Sequence, residues 1–350
     1  MRLLNTLTFD FQEFDHRGEQ MPPYAILSHV WSQREQTYAE IKEIASSKNQ
    51  RRWWKRGNDR EQGISQKLVE FCKVSASLGY DWCWADTCCI NKESSAELSE
   101  AINSMFEWYS KSSVCITYLH DVDGFPYRDG NPTTNAEFRA SKWFTRGWTL
   151  QELIAPAAVL FANKTWHIIG SKVTLARPLA SITDIGVEFL INPGAFTTAS
   201  VFRRFFWARK RQTTRVEDRA YSLLGIFGVN MPTIYGEGEK AFMRLQEEIL
   251  KVSSDQTLFA WGLTRQFALF KSAPGLLAPD PTVFEAYKPG TSRSPPTCPE
   301  PLPIEELPRA VKTFAVALYR SRESGFLTLR LASDLSVSVP SVIATQHKRN

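Results

Sequence analysis

Between Tyr24 and Val30 the chain is an almost unbroken apolar run that closes on Ser28-His29, the pattern of a buried strand delivering polar groups to its carboxyl end. A polar, basic stretch from Gln33 to Gly63 follows, in which only Tyr38 to Ile44 reads as a short helix. Ile64, Leu68, Phe71, Ser75 and Leu78 then recur at helical spacing, with Gly79 as the stop, and Trp82 to Ala85 is the next strand. Leu98, Ile102, Met105, Phe106 and Tyr109 trace a second amphipathic helix, and Val114 to Leu119 a third strand. Strand, helix, strand, helix, strand is the order that yields a parallel sheet with helices on both faces. Val159 to Phe161 reads as a further strand and Ser171 to Ile182 as a helix.

The loop from Asp121 to Ala140 is long and rich in Gly, Pro and Asn, which in a compact domain marks a mobile or functional segment. A second region opens near Ser200, and its best-defined helix spans Lys240 to Val252, with Phe242, Leu245, Ile249 and Val252 on one side. Pro, Ser and Thr dominate Leu276 to Leu307, the composition of a linker or extended surface loop. Beyond it, Phe314 to Tyr319 and Phe326 to Leu331 flank the turn signal Ser324-Gly325, which predicts a terminal β-hairpin.

Composition narrows the classes without naming one. The 350 residues are 43% hydrophobic and 12% aromatic, enough for one large domain or two smaller ones. Lys and Arg number 42 against 37 acids, a net +5 spread along the chain. The local excess at Arg203-Arg204, Arg209-Lys210-Arg211 and Arg215 is interrupted by aromatics and followed by Glu217 and Asp218, so it reads as a solvated helix edge rather than a nucleic-acid surface. The first ten residues turn acidic at once and do not form a signal peptide, and no apolar run approaches membrane-spanning length. Cys72, Cys83, Cys88, Cys89, Cys115 and Cys298 show no Cys-x-x-Cys spacing, which points to reduced, mostly buried thiols and a cytoplasmic protein.

Ligands of open parallel sheets bind beyond the carboxyl ends of the strands, and those ends here carry Ser28-His29, Asp86-Thr87 and His120-Asp121. Glu152 is the candidate acid, set among Trp143, Phe144, Trp148, Leu150, Leu153 and Ile154. It either serves chemistry, or pairs with Arg146 or caps a helix. Asp86 is equally readable as an acceptor for a ligand hydroxyl or as a cap for the turn at Thr87-Cys88. His29 either titrates near neutrality or is hydrogen-bonded structure. A hydrolase built on Cys88 or Cys89 with His120 and Asp121 lacks a nucleophile-elbow glycine pattern, and the ligand spacing of a metal site is absent. Gly236-Glu237-Gly238 precedes no Gly-Lys-Ser/Thr and is a turn before a helix.

Three blocks carry a family resemblance: Tyr24-Ala25-Ile26-Leu27-Ser28-His29-Val30-Trp31, Asp81 to Asn91, and Trp143 to Leu153. In this order they resemble the signature blocks of the fungal heterokaryon incompatibility (HET) domain, and Asp218 to Val229 with the following helix resembles the helical continuation of such domains. The resemblance implies a HET domain over residues 24–185, a helical extension over 186–262 and a linker with a hairpin tail over 263–350. HET domains are similar to Toll/interleukin-1 receptor (TIR) domains, which implies a flavodoxin-like α/β fold with a parallel sheet. It also implies an effector of non-self recognition that triggers growth arrest or cell death when incompatible fungal strains fuse. Self-association, or a signal from a separate sensor protein, is the implied mode of control, with no nucleic acid and no membrane insertion. In enzymatic TIR domains an acid following a Ser-x-Trp segment serves cleavage of the nicotinamide-ribose bond of NAD. Ser141-Lys142-Trp143 and Trp148 to Leu153 resemble that block, with extra residues between its halves. On this resemblance Glu152 is the catalytic residue, Ser28, His29, Asp86, Trp143 and Trp148 line the substrate site with one of the two tryptophans stacking on a ring of NAD, and neither metal nor resident cofactor is required.

Overall fold

A computed structural model describes residues 1–15, 21–50, 61–124, 136–261, 276–284, 326–330 and 336–340. The chain divides into two compact units, one of Met1–Ala199 with Lys210–Gly236 and one of Ser200–Arg209 with Glu237–Asn350.

The first unit is built on a seven-stranded sheet: β1 (Arg2–Asn5), β2 (Phe11–Glu13), β3 (Tyr24–His29), β4 (Trp82–Trp84), β5 (Val114–Tyr118), β6 (Val159–Ala162) and β7 (Ile168–Ser171), in spatial order β2-β1-β4-β3-β5-β6-β7. β4, β3, β5 and β6 are mutually parallel. The sheet as a whole is mixed, which corrects the all-parallel expectation: β1 joins β4 antiparallel, β2 folds back on β1, and β7 closes the far edge against β6. β4 and β6 are just as short but are wholly apolar, whereas β1, β2 and β7 mix polar with apolar residues over three or four positions and do not stand out in the sequence.

The helices of the chain's first half are α1 (Tyr38–Gln50), α2 (Gln66–Ser77), α3 (Ser95–Lys111), α4 (Ala136–Ala140) and α5 (Thr149–Ile154). The crossover from β3 to β4 through α1 and α2 runs toward one edge of the sheet, and that from β4 through α3 to β5 runs back across β3. Right-handed crossovers in opposite directions place their helices on opposite faces. Adjacent β4 residues report the two sides: Cys83 Sγ lies 3.7 Å from Cys72 Sγ of α2, while Trp84 packs edge-on against Trp108 and Tyr109 of α3. In β3, Tyr24 on the α3 side donates its hydroxyl to the Trp108 carbonyl at 2.5 Å. α2 begins on the Ser65 cap and ends at Gly79, whose φ of +88° lies where a side chain is strained.

After β7 come α6 (Ala176–Thr183), α7 (Val187–Ile191), α8 (Val201–Ala208), α9 (Asp218–Tyr221), α10 (Leu224–Phe227) and α11 (Lys240–Val252). The helix expected from Ser171 starts later, because Ser171 and Thr174 bond each other's backbone N–H groups in a turn. α10 lies so close to α3 that a Cβ on Gly225 would fall 2.0 Å from Phe106 Cβ. In the second unit, Phe205 of α8 packs on Phe242 of α11 and stacks on Phe284, and Gln246 exchanges two 2.8 Å hydrogen bonds with the Ala278 backbone. The terminal hairpin pairs β8 (Phe326–Arg330) with β9 (Ser336–Pro340). The strand of Phe326 therefore pairs with the segment that follows it, where Val337 and Val339 supply the alternating β-branched positions; Phe314–Tyr319 and Cys298 lie outside the described residues.

Candidate functional site

Ser28 and His29 are the last two residues of β3, and neighbours in a strand point to opposite faces. The sheet edge therefore carries two polar groups that face opposite sides, with Asp86 just beyond the neighbouring strand β4.

On the α3 and α5 side, the Ser28 hydroxyl donates to Oε2 of Glu152 in a short hydrogen bond and accepts one from the Trp143 indole N–H at 2.7 Å. Glu152 occupies the first turn of α5 and is 6% exposed. Among the described residues it has no ion pair with Arg146, whose guanidinium reaches Thr214 instead. Burial pushes the Glu152 carboxyl up to about 8; the Ser28 hydrogen bond, Arg211 and Arg146 work against that rise, and the Asp86 charge adds to it. Near neutral pH this acid is mostly protonated.

The neighbouring cation is Arg211. The segment Arg211-Gln212 lies alongside Thr145–Gly147: Gln212 N–H donates to the Thr145 carbonyl at 2.6 Å and Gly147 N–H to that of Gln212 at 2.8 Å. Gly147 is required here because a Cβ would fall 2.4 Å from Thr213 Cγ2. Arg211 is thereby carried inward, 9% exposed, donating to the Arg146 carbonyl and to Thr149 Oγ1 at 2.9 and 2.8 Å. Its second terminal nitrogen, like the Gln151 amide nitrogen, is buried without a hydrogen-bond partner. Burial lowers the Arg211 pKa and Glu152 opposes that, yet a guanidinium stays charged at neutral pH. The solvated helix edge read from the sequence thus fails for Arg211, because α8 ends at Ala208 and the chain beyond it pairs with the Trp143–Glu152 block.

On the α2 side His29 is 7% exposed, and its Nε2 lies 3.9 Å from Glu35 Oε1 without a hydrogen bond. Burial, with Lys67, Lys92 and His120 nearby, holds it well below the ordinary histidine value, so it is a neutral imidazole at physiological pH. Glu35 in turn pairs with Lys67 of α2 and accepts from the Ser32 hydroxyl at 2.7 Å.

Asp86, just beyond β4, caps nothing: the turn after it closes through backbone, Cys89 N–H to the Ala85 carbonyl at 2.8 Å. Its Oδ2 accepts from the Trp31 indole at 2.8 Å, and its Oδ1 is buried without a partner. Burial raises the Asp86 carboxyl, while Lys92 and Trp31 pull it down.

The structure brings Ser28, Trp143 and Glu152 into one hydrogen-bonded chain, with His29 and Asp86 at the same strand ends. Trp148 is directed elsewhere, its side chain hydrogen-bonding Asp218. Trp143 is fully buried, with Phe144 and Phe161 against it edge to face, so no ligand ring can lie on it. The Cys88 thiol is buried and raised well above its ordinary value, with Cys89 hydrogen-bonding and burial as causes, and Asp121 accepts from Ser141 and the Lys142 N–H. Neither supports a thiolate nucleophile. Cys72, Cys83, Cys88, Cys89 and Cys115 are free and buried. Among the described residues no group of three or more His, Cys, Asp or Glu is placed to hold a metal ion, and no helix is long and apolar enough to cross a membrane.

The family model described as heterokaryon incompatibility protein (HET) matches residues 24–129. Over 237 residues the chain is 44% identical to the vegetative incompatibility protein HET-E-1 of Podospora anserina. The chain carries a HET domain. That alignment covers 66% of this chain and 16% of HET-E-1, so the chain spans about a sixth of the length of the curated relative it matches. A domain of unknown function (DUF8212) matches residues 240–285, within the second unit. No solved structure matches the chain. The family match contains Ser28, His29 and Asp86 and stops short of Trp143 and Glu152; the fold joins the HET segment to that later block through the Ser28 hydroxyl.

Proposed function

We propose that this HET domain is the effector of a vegetative incompatibility response, triggering growth arrest or cell death on non-self recognition through a TIR-like signalling fold. The name of the 44%-identical relative and the family match support the role. Supporting the flavodoxin-like, TIR-like architecture is the order of the parallel strands: numbered among themselves they run 2-1-3-4, and β3 and β5 flank the topological switch. The protein works in the cytoplasm and is controlled by self-association or by a separate sensor.

A second reading, that the domain cleaves the nicotinamide-ribose bond of NAD, is favoured by one observation: a buried carboxyl, Glu152, is held on Ser28 at the switch point. Departure of nicotinamide takes the bonding electron pair with it and leaves a ribosyl oxocarbenium ion. Water then adds at that carbon and releases a proton. The ionised form of Glu152, a minor fraction near neutral pH that grows as pH approaches about 8, stabilises such a cation in a water-poor site, with no metal needed.

The discriminating experiment measures NAD loss and cell killing for the parent, Glu152→Gln and Glu152→Ala, with folding checked by circular dichroism. Loss of both activities in a folded Glu152→Gln supports the enzyme. Killing retained without NAD loss in any form leaves the signalling role and ends the hydrolase reading.

A further inference from the structure

Trp143 is sealed, and the half-buried Trp148 gives its side chain to Asp218 rather than to the Ser28–Glu152 pair. One large aromatic at the strand ends is open: Trp31, two residues past β3 and 47% exposed. It is held in place, because Asp86 accepts its indole N–H at 2.8 Å and the Lys92 ammonium lies 3.7 Å from its ring centroid.

The surroundings are unfinished in a specific way. Asp86 Oδ1 is a buried acceptor and His29 Nε2 a buried ring nitrogen, both without a hydrogen-bond partner among the described residues, and buried polar atoms ordinarily have partners. Lys92, largely withdrawn from water at the rim, is a donor to anions without being tied into an ion pair within 4 Å among the described residues. A half-exposed indole, an ammonium over its ring and a buried carboxylate oxygen awaiting a hydroxyl together match three parts of one molecule: a base, a phosphate and a ribose.

We propose that Trp31, Lys92 and Asp86 form a nucleotide subsite, in which Trp31 stacks on the base, Lys92 meets a phosphate and Asp86 Oδ1 accepts a ribose hydroxyl. This deepens the NAD reading and rests on it for the identity of the full substrate, since Glu152 would then face the nicotinamide end. The Lys92 ammonium now covering the indole moves aside as the base enters.

Two titrations of the full chain by calorimetry test it, one with ADP and one with NAD on Glu152→Gln, which leaves the probe unconsumed. Both probes should bind, and Trp31→Ala and Lys92→Met should each weaken binding about tenfold, the scale of one base-aromatic stack, while Trp31→Phe retains most of it. Trp31→Ala also removes the donor to Asp86 Oδ2, so each variant is checked for folding by circular dichroism, and Trp31→Phe, which loses the same donor but keeps a ring, separates stacking from that loss. Binding of ADP that depends on Trp31 in a protein that consumes no NAD keeps the subsite and removes the hydrolase. NAD turnover with an unchanged KM in Trp31→Ala overturns the subsite and keeps the hydrolase. Failure of both probes to bind overturns it as well.

Discussion

Replacing Glu152 by glutamine isolates the cost of holding an acid in this site. The folded carboxyl titrates at about 8 against an ordinary 4.5, so between those values the native state binds the extra proton. Stability from this group is fully present below about 4.5 and is lost as pH rises through about 8. At 1.36 kcal/mol per pH unit, the displacement is worth about 5 kcal/mol between the two limits, of which about 3 kcal/mol is already lost at pH 7. Glutamine keeps the shape and an oxygen for the Ser28 hydroxyl but carries no charge at any pH. Urea denaturation of the two proteins at pH 5, 7 and 9 should therefore give stability curves that diverge, with Glu152→Gln gaining on the parent as pH rises. Asp86 is present in both proteins, so its own titration largely cancels in the difference. Parallel curves would refute the reasoning, because they would mean that the acid ionises near its ordinary value and is neither desolvated nor held.

Ser28→Ala strips the Trp143 indole of its acceptor and Glu152 of the hydrogen bond that lowers its pKa; we expect a loss of about 1 to 3 kcal/mol in thermal denaturation and a further rise of the Glu152 titration, read by carboxyl-labelled NMR. Lys172 is 3% exposed and donates to the carbonyls of Leu153 and Pro156 at the end of α5. Lys172→Met should cost about 1 to 3 kcal/mol by leaving both unpaired, and an unchanged melting temperature would show that the clamp is idle. Gly225→Ala sets a methyl 2.0 Å from Phe106 Cβ, an atom that only glycine at 106 would remove, and should destabilise by about 1 to 3 kcal/mol in thermal denaturation; an unchanged melting temperature would show that α3 and α10 separate without cost. Should NAD be consumed, and the ionised Glu152 be the active form, turnover should climb about tenfold per pH unit below 8 and level off above it; a flat profile from pH 6 to 9 would exclude the carboxylate from that step.

The sequence by itself determined the elements whose hydrophobic period is long or dense. β3, α2, α3, β5 and α11 were legible because burial of one stripe or of both strand faces writes itself into spacing, and the rule for parallel sheets then put Ser28, His29 and Asp86 at one edge. Glu152 was legible as an anomaly, an acid inside an aromatic wall. Spacing along the chain could not say which partner that acid takes, since Ser28 is 124 residues away and the bond exists only once β3 and α5 meet. Arg211 looked like part of a solvated basic run because charge reads the same whether a strand-like pairing buries it or a helix exposes it; the pairing of Gln212 with Thr145 and Gly147 decided the matter. The outer strands β1, β2 and β7 are short and mix polar with apolar residues, unlike the equally short but wholly apolar β4 and β6, so the mixed character of the sheet is a tertiary result. So is the sorting of the tryptophans: Trp31, Trp143 and Trp148 are chemically identical in the sequence, and only packing leaves the first open, seals the second and turns the third toward Asp218.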